Sequence, residues 1–438
     1  MLDALYLVVG FLALPWVAWR RLSGSRPVAA PWRRLTGNVP ELPRRAGVER
    51  LWLHGVSVGE VQLLAGLAEE LQRQATDAGR TIECVVSSST TTGLSVAARR
   101  FPAERVFPCP LDFSWAVERT LDRIRPDLLV LGELELWPNL LLRTRARGIP
   151  IVIANARMSE RSFNGYRRIP PLIRRMLGCV SLVMARSAAD AGRFMALGAP
   201  RAVVAGSLKF DGVRGDREAT GVQKLARLAG FAADDIVFLA GSTQAPEEAM
   251  AIEVARGLLP RHPSLRLVLV PRHVERAGEV ASLLEASGLA WQRRSRLEAD
   301  GADPDARVLL VDTTGELAQW WGTAEIAFVG GSLDGRRGGQ NMLEPAAYAA
   351  AVAFGPHTRN FRDEVAVLLA ADAAKVVHNA GQLADFVRGC LENPAAAAAL
   401  GERARIAVAA NRGATPRTAE RILGLLPSPR LSESASSR

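Results

Sequence analysis

From residue 48 to about residue 210, short apolar runs alternate with longer amphipathic stretches. "RLWLHGV" is followed by a pattern that places Val61, Leu64, Leu67 and Leu71 on one helical face. "TIECVVSSS" leads into "TGLSVAARRF", "DLLVLGELELW" into "PNLLLRTRARG", and "PIVIANARMS" into "YRRIPPLIRRML". "LVMARSAADAGRFMALG" continues the alternation to "RAVVAGSLKFD". Strand-then-helix repetition predicts a parallel sheet with helices on both faces. The strand runs are almost unbroken hydrophobics, as strands covered on both sides must be. "GVRGDREATGVQKL" (212–225) is polar and Gly-rich and reads as a linker. Beyond it come "DIVFLAGST", "LRLVLVPRH", "RVLLVDTTG", "EIAFVGGSL", "AVAFGPHT" and "AKVVH", with helical patterns between them. The pattern thus predicts two doubly wound, Rossmann-like α/β domains, 45–211 and 212–425, and a loose Ser- and Pro-bearing tail, 427–438.

The first residues break the alternation. "LDALYLVVGFLALPWVAW" (2–19) is apolar apart from Asp3 and is followed by Arg20, Arg21, Arg26, Arg33 and Arg34. Its length is at the low end for spanning a bilayer, and Pro15 disturbs a helix. No basic residue precedes the run, which argues against a cleaved signal peptide. The expectation is an N-terminal membrane anchor, residues 1–22, that spans the bilayer or lies in its interface, with the Arg cluster keeping the remainder on the cytoplasmic side. A buried N-terminal helix is the alternative.

Charge narrows the partners. The net charge is +10, and the only lysines are Lys209, Lys224 and Lys375, so the basic residues are nearly all Arg. Such a balance points to a phosphate-bearing or anionic-surface partner. No zinc-finger spacing, RNA-recognition signature or basic repeat is present, so nucleic-acid binding rests on charge alone. Cys84, Cys109, Cys179 and Cys390 are scattered, which fits a reducing compartment better than a disulfide framework or zinc site. The acid pair in "DPD" (303–305) lies in a polar stretch, and no metal site is expected.

Open parallel sheets bind ligands beyond the carboxyl ends of their strands. The segments at those ends are "HGVSVGE", "SSSTTTG", "GELELWPN", "NARMSERS" and "GSLKFD" in the first domain. In the second they are "GSTQAPEE", "PRHVER", "DTTGEL", "GGSLDGRRGGQNMLEP" and "FGPHTRNF". Turn chemistry explains any one of them; ten polar ends predict a ligand cleft. In "GGSLDGRRGGQNMLEPAA" (330–347) glycines allow backbone N–H groups to approach a phosphate, a helix is expected to open near Asn341, and Glu344 stands in its first turn. Arg272, at a strand end in "PRH", is a candidate phosphate partner. Glu60 closes "HGVSVGE" as a lone carboxylate at a helix start. It is either a first-turn acid meeting unpaired N–H groups or a general base for a hydroxyl nucleophile.

Together "HGVSVGE", "ELWPN", "NARMSERSFNGY", "GSLKFD", "VPRH", "FVGGSL", "GGQNMLEPAA" and "FGPHTRNF" resemble the 3-deoxy-D-manno-octulosonic acid (Kdo) transferases of lipopolysaccharide synthesis. The resemblance runs from the N-terminus to about residue 365. It implies the GT-B arrangement of two Rossmann-like domains facing a cleft, and an N-terminal anchor in the bacterial inner membrane at its cytoplasmic face. It further implies transfer of Kdo from CMP-Kdo to the lipid A precursor, lipid IVA. With a base on one face and the leaving group on the other, a single displacement inverts the anomeric centre, and no cofactor or metal is expected if Arg272, Lys209 and the Gly-rich helix N-terminus carry the leaving charge. The family's base falls on Glu60, and its transition-state stabilisers fall on Glu133 and Lys209. Its CMP contacts fall on Pro271, Arg272, Thr314, Gly315, Glu316, Asn341, Met342, Leu343 and Glu344, and donor contacts are expected at Ser242, Gln244, Gly331 and Gln340. Gln244 and Gln340 stand where the family usually has His; they keep hydrogen-bonding capacity but cannot become cationic. Two other readings are another GT-B nucleotide-sugar transferase acting on a lipid acceptor and a non-catalytic, membrane-tethered nucleotide-binding protein. The first would lack the combination of "SVGE", "ELWPN" and "GSLKFD", and the second would have lost its base.

Overall fold

The computed structural model describes residues 3–4, 6–8, 30–213 and 215–427. It comprises two units, Met1–Gly212 with Arg412–Arg438, and Val213–Asn411.

The first unit holds a seven-stranded parallel sheet of β1 (Val48–His54), β2 (Thr81–Ser88), β3 (Val106–Pro108), β4 (Leu128–Gly132), β5 (Ile151–Ala156), β6 (Leu182–Ala185) and β7 (Ala202–Val204). Their order is β3-β2-β1-β4-β5-β6-β7, so the winding reverses between β1 and β4, where Leu51 pairs with Leu128 and His54 with Leu131. One side of the sheet packs Trp52, Val85, Leu129 and Ile153 into one core, and the other packs Leu51, Leu53, Val130 and Val152 into a second. The helix Val58–Asp77 covers the second core through Val61, Leu64, Leu67 and Leu71, the stripe read from the sequence. Ser57 starts that helix by accepting the Glu60 N–H (3.2 Å).

The second unit repeats the plan with β8 (Ile236–Thr243), β9 (Leu265–Pro271), β10 (Trp291–Arg293), β11 (Val308–Leu310), β12 (Ile326–Val329), β13 (Ala351–Phe354) and β14 (Lys375–Val376). The order is β10-β11-β9-β8-β12-β13-β14, with its reversal between β8 and β12. Phe238, Ala240, Leu267, Leu269 and Phe328 centre its main core.

Several expectations change. β3 and β10 were not predicted; each is three residues long and lies at a sheet edge, too short for a periodic signal. The end of the expected linker, residues 220–225, lies in the helix Thr220–Leu228, whose Val222 and Leu225 are buried in the second unit. The expected domain end at residue 425 also moves. The helix Ala414–Leu423 belongs to the first unit, where Ala414, Ala419, Ile422 and Leu423 enter the core beneath the helix Val58–Asp77. Asp211 starts it by accepting the Gly413 and Thr415 N–H groups (2.5 and 2.6 Å), a contact 202 residues away in sequence for Gly413 and invisible to local periodicity.

Most of the expected anchor lies outside the described residues, as do residues 428–438 of the expected tail. Among the described residues no helix is long and apolar enough to cross a membrane. The described part of the segment is tied to the first unit. The Asp3 carboxylate accepts from the Ser114 N–H (2.9 Å) and the Asn139 amide (2.9 Å), and the Tyr6 hydroxyl donates to Asp112 (2.8 Å).

Because Ile422 is fully buried against the first unit's core, Ile422→Ala is expected to destabilise that unit by about 2–5 kcal/mol, the range for emptying such a site. Urea unfolding followed by Trp fluorescence measures it. An unchanged midpoint would place the helix outside that core.

Candidate active site

The reversal in strand order is where an open α/β sheet leaves a crevice at its carboxyl edge. In the first unit the segments leaving β1 and β4 flank that point, and they carry Glu60 and Glu133. Glu60 fills the third helical position, and its carboxylate reaches back to accept the Val56 N–H (2.8 Å) and the Ser57 hydroxyl (2.9 Å). This is a capping box, so the structural reading of Glu60 holds. Burial raises the carboxyl pKa above its ordinary value; the Val56 and Ser57 hydrogen bonds oppose the shift, and the charge of Glu133 adds to it. A raised pKa makes a stronger proton acceptor. The cap thus holds a carboxylate of raised pKa at the switch point.

Glu133 has a left-handed backbone (φ 58°) and forms an ion pair with Arg186, whose side chain is almost wholly buried. Arg186 also donates through Nε to the Asn155 carbonyl (3.2 Å), and the Asn155 side chain accepts the Leu208 N–H (3.1 Å). Leu208 opens the short 3₁₀ turn Leu208–Phe210 that carries Lys209. Glu133, Asn155, Arg186 and Lys209 therefore mark the ends of β4, β5, β6 and β7 in succession, joined by one polar chain. Glu135, two residues beyond Glu133, accepts from Trp137 Nε1 (2.7 Å); burial first, then the charges of Glu60 and Glu133, push it up to about 7. His54, the last residue of β1, is fully buried with Nδ1 2.9 Å from Ser87 Oγ; burial pushes it down to about 4, so it is neutral.

In the second unit Glu247 spans the equivalent point. Its buried carboxylate accepts the N–H groups of Gln244 (3.0 Å), Gly331 (2.7 Å), Ser332 (3.0 Å) and Leu333 (3.3 Å), tying the end of β8 to the loop after β12. Burial nonetheless raises its pKa, against the pull of those N–H groups. The two positions that depart from the family's usual His meet here. Gly331 has φ +67°, and a Cβ on it would sit 3.3 Å from both Gln244 Nε2 and Gln340 Nε2. Ser242, at φ 53°, turns the end of β8 toward the same place. Among the described residues the buried atoms Thr243 Oγ1 and Gln244 Oε1 have no hydrogen-bond partner.

The helix expected near Asn341 begins at Leu343 and ends at Ala347. One short turn carries little macrodipole, so the loop's own N–H groups carry the phosphate expectation. Glu344 accepts from Trp321 Nε1 (3.1 Å) and the Asn341 amide (3.0 Å); burial raises its pKa, while the charge of Arg272 lowers it and places that residue nearby. Arg272 directly follows β9, its N–H bonded to the Thr243 carbonyl (2.9 Å). Glu316 lies on the next strand end, after β11, with Thr314 and Gly315. Both its oxygens are taken by Arg294 (2.7 and 2.9 Å), which with Thr313 overcomes burial and lowers its pKa. Met342 and Leu343 are buried, and the Leu343 N–H donates to the Asn341 side-chain oxygen (3.2 Å).

Sequence reading missed Arg186, Glu135, His54 and Glu247 as site residues. His54, Glu135 and Glu247 lie within strand-end segments already singled out, whereas Arg186 follows β6, whose end was not among them. Their partners were hidden: Arg186 stands 53 residues from Glu133 and Glu247 stands 84 from Gly331.

Two doubly wound units of this kind define a GT-B-like fold. A solved UDP-GlcNAc 2-epimerase from Neisseria meningitidis shares it, at 14% identity and a TM-score of 0.57, covering 86% of this chain and 100% of that one. Within the fold, the family model of 3-deoxy-D-manno-octulosonic-acid transferases (kdotransferases) matches residues 30–212. A 3-deoxy-D-manno-octulosonic acid transferase of Bordetella pertussis is 35% identical over 415 residues, 92% of this chain and 93% of its own. One of Haemophilus influenzae is 33% identical over 372 residues, 84% and 85% of the two chains. The chain belongs to the 3-deoxy-D-manno-octulosonic acid transferase family of glycosyltransferases.

Glu247→Gln tests the second switch point. Whichever way the amide turns, its NH₂ faces two backbone N–H donors. We expect a loss of about 1–3 kcal/mol in stability, the cost of unsatisfied buried donors, with weaker CMP binding by calorimetry. Wild-type stability and CMP affinity would show that the loop holds without the carboxylate.

Proposed function

We propose that the protein transfers Kdo from CMP-Kdo to the lipid A precursor, lipid IVA, as an inverting glycosyltransferase at the cytoplasmic face of the bacterial inner membrane. The observation that carries this reading is Glu60, a half-buried carboxylate of raised pKa held at the switch point of the first sheet. A sugar hydroxyl is a poor nucleophile, and a carboxylate within hydrogen-bond reach takes its proton as the new bond forms. The acceptor oxygen bonds to the anomeric carbon, the bond from that carbon to the phosphate oxygen breaks, and its electron pair leaves with CMP. A single displacement inverts the centre. Arg272, Lys209 and the N–H groups around Asn341 would stabilise the charge that develops on the leaving phosphate. Glu133, neutralised by Arg186, would orient a donor or acceptor hydroxyl. Pro271, Thr314, Gly315, Met342 and Leu343 would bound the nucleotide, with Glu344 facing the ribose. Because Glu316 is committed to Arg294, its part is to shape the 313–316 turn.

Features of the first unit support a lipid surface as its working place. The helix Pro170–Leu177 leaves Ile169 and Leu172 exposed among Arg167, Arg168, Arg174 and Arg175, a pairing suited to a headgroup layer and to a bisphosphorylated acceptor. Trp32 and Trp115 are exposed, and the Trp115 indole donates to the Leu35 carbonyl (2.9 Å). Trp115 stacks on Phe113, which meets Tyr6 edge-on. These tryptophans stand where the N-terminal segment docks, and Trp favours the membrane interface.

Glu60→Gln keeps an oxygen to accept the Val56 N–H but cannot take a proton. It is expected to fold and bind CMP normally while transfer falls about a hundredfold or more. In the wild type, activity should fall as the pH drops through the raised pKa of Glu60, so its acid limb should lie above the ordinary carboxyl range. Near-normal turnover by the variant would reduce Glu60 to its capping role.

A further inference from the structure

The donor in this reading bears two anions on one carbon: in a CMP-linked ulosonic acid, the carboxylate and the phosphate ester oxygen share the anomeric carbon. A unit that holds it needs two adjoining sets of donors, and the expected CMP contacts supply only the set for the phosphate. The second unit contains another cationic group. At the ends of β12 and β13 a cavity of about 210 Å³ is lined by Gly335, Gly338, His357, Thr358, Arg359 and Arg362.

Its walls are fixed by backbone. The His357 N–H donates to the Ser332 carbonyl (2.9 Å), the Asn360 N–H to Gly338 (2.9 Å) and the Gly339 N–H to Gly331 (2.7 Å). Arg359 spends its guanidinium on the carbonyls of Gly335 (2.9 Å) and Arg336 (2.6 Å), holding the loop in shape. Gly338 has φ +85°, and a Cβ there would come within 2.5 Å of Arg359 Cγ, so this close approach needs glycine. The loop's own acid, Asp334, is turned onto the Arg336 N–H (3.0 Å). His357 and Arg362 are exposed on the cavity rim, with Arg336 and Arg337 adding positive charge on the loop. Gly339 joins this cavity to the expected phosphate contacts: a Cβ on it would meet both Thr358 Cα and Met342 Cε at 3.2 Å.

We propose, resting on the reading of the protein as a CMP-Kdo-dependent transferase, that this cavity binds the carboxylate of the donor sugar through charge-assisted hydrogen bonds from His357 and Arg362. The site selects an acidic sugar over a neutral one, because a neutral sugar leaves the Arg362 guanidinium without an anionic partner. It is separate from the nucleotide contacts, and Arg359 acts only as a positioning residue.

The test is steady-state kinetics of the full-length His357→Ala, Arg362→Gln double variant, with CMP inhibition measured beside it. The KM for CMP-Kdo is expected to rise about tenfold or more, the scale of a hydrogen bond to a charged group. The inhibition constant of CMP and the KM for the lipid acceptor should be unchanged. Unchanged CMP inhibition also reports an intact fold. A parallel weakening of CMP would make the cavity a phosphate site and overturn the proposal. A rise confined to the lipid acceptor's KM would assign it to lipid phosphate and overturn it equally, as would no change in any constant. A wild-type protein that releases no CMP from CMP-Kdo would instead fail the transferase reading, and this proposal with it.

Discussion

A carboxylate placed at the end of a strand buried on both faces loses water and must find donors in the protein. This constraint organises both units. Glu60 finds the start of its own helix, Glu133 finds Arg186, Glu247 finds four backbone N–H groups, and Glu344 finds an indole and an amide. The loops follow from the pairing. The end of β8 and the loop after β12 are held together by one carboxylate, and the ends of β4 through β7 are linked by the chain that begins at Glu133.

The degree of compensation differs from one carboxylate to the next. Glu316 is compensated beyond its burial cost by Arg294 and Thr313 and is held ionised. Glu60 is compensated less than its burial costs, and Glu135 is left near neutrality. Glu135, pushed up to about 7, can exchange a proton near neutral pH, and Glu60 holds a proton more readily than an ordinary carboxylate. The pKa of Glu247 is raised too, at the start of its own helix, but four backbone N–H groups occupy its carboxylate, whereas Glu60 is held by its own helix start at the first sheet's switch point.

Most of the fold was legible because doubly covered strands read as apolar runs and helices as 3.6-period stripes. What escaped was short or remote. β3 and β10 have three residues each and lie at edges. The helix Ala414–Leu423 gave a helical pattern but no sign of which unit it would join, since that depends on Asp211 and on the face beneath the helix Val58–Asp77. The site was legible as segments rather than as pairs. Glu60, Glu133 and Lys209 stood out at strand ends and through the family resemblance. Arg186 and Glu247 did not, because a strand-end Arg and a first-turn Glu carry no local mark of the groups they will meet. Gln244 and Gln340 looked like two separate departures until the structure brought both to Gly331.

The proposal rests on Glu60 acting as the base in transfer of Kdo from CMP-Kdo to a lipid acceptor. It is tested most directly by mass spectrometry of the lipid product from purified full-length protein, CMP-Kdo and tetraacylated lipid A precursor. The account predicts a lipid heavier by one or more Kdo residues, with CMP released in equal number. Release of CMP with no gain in lipid mass, or no consumption of CMP-Kdo, would contradict it.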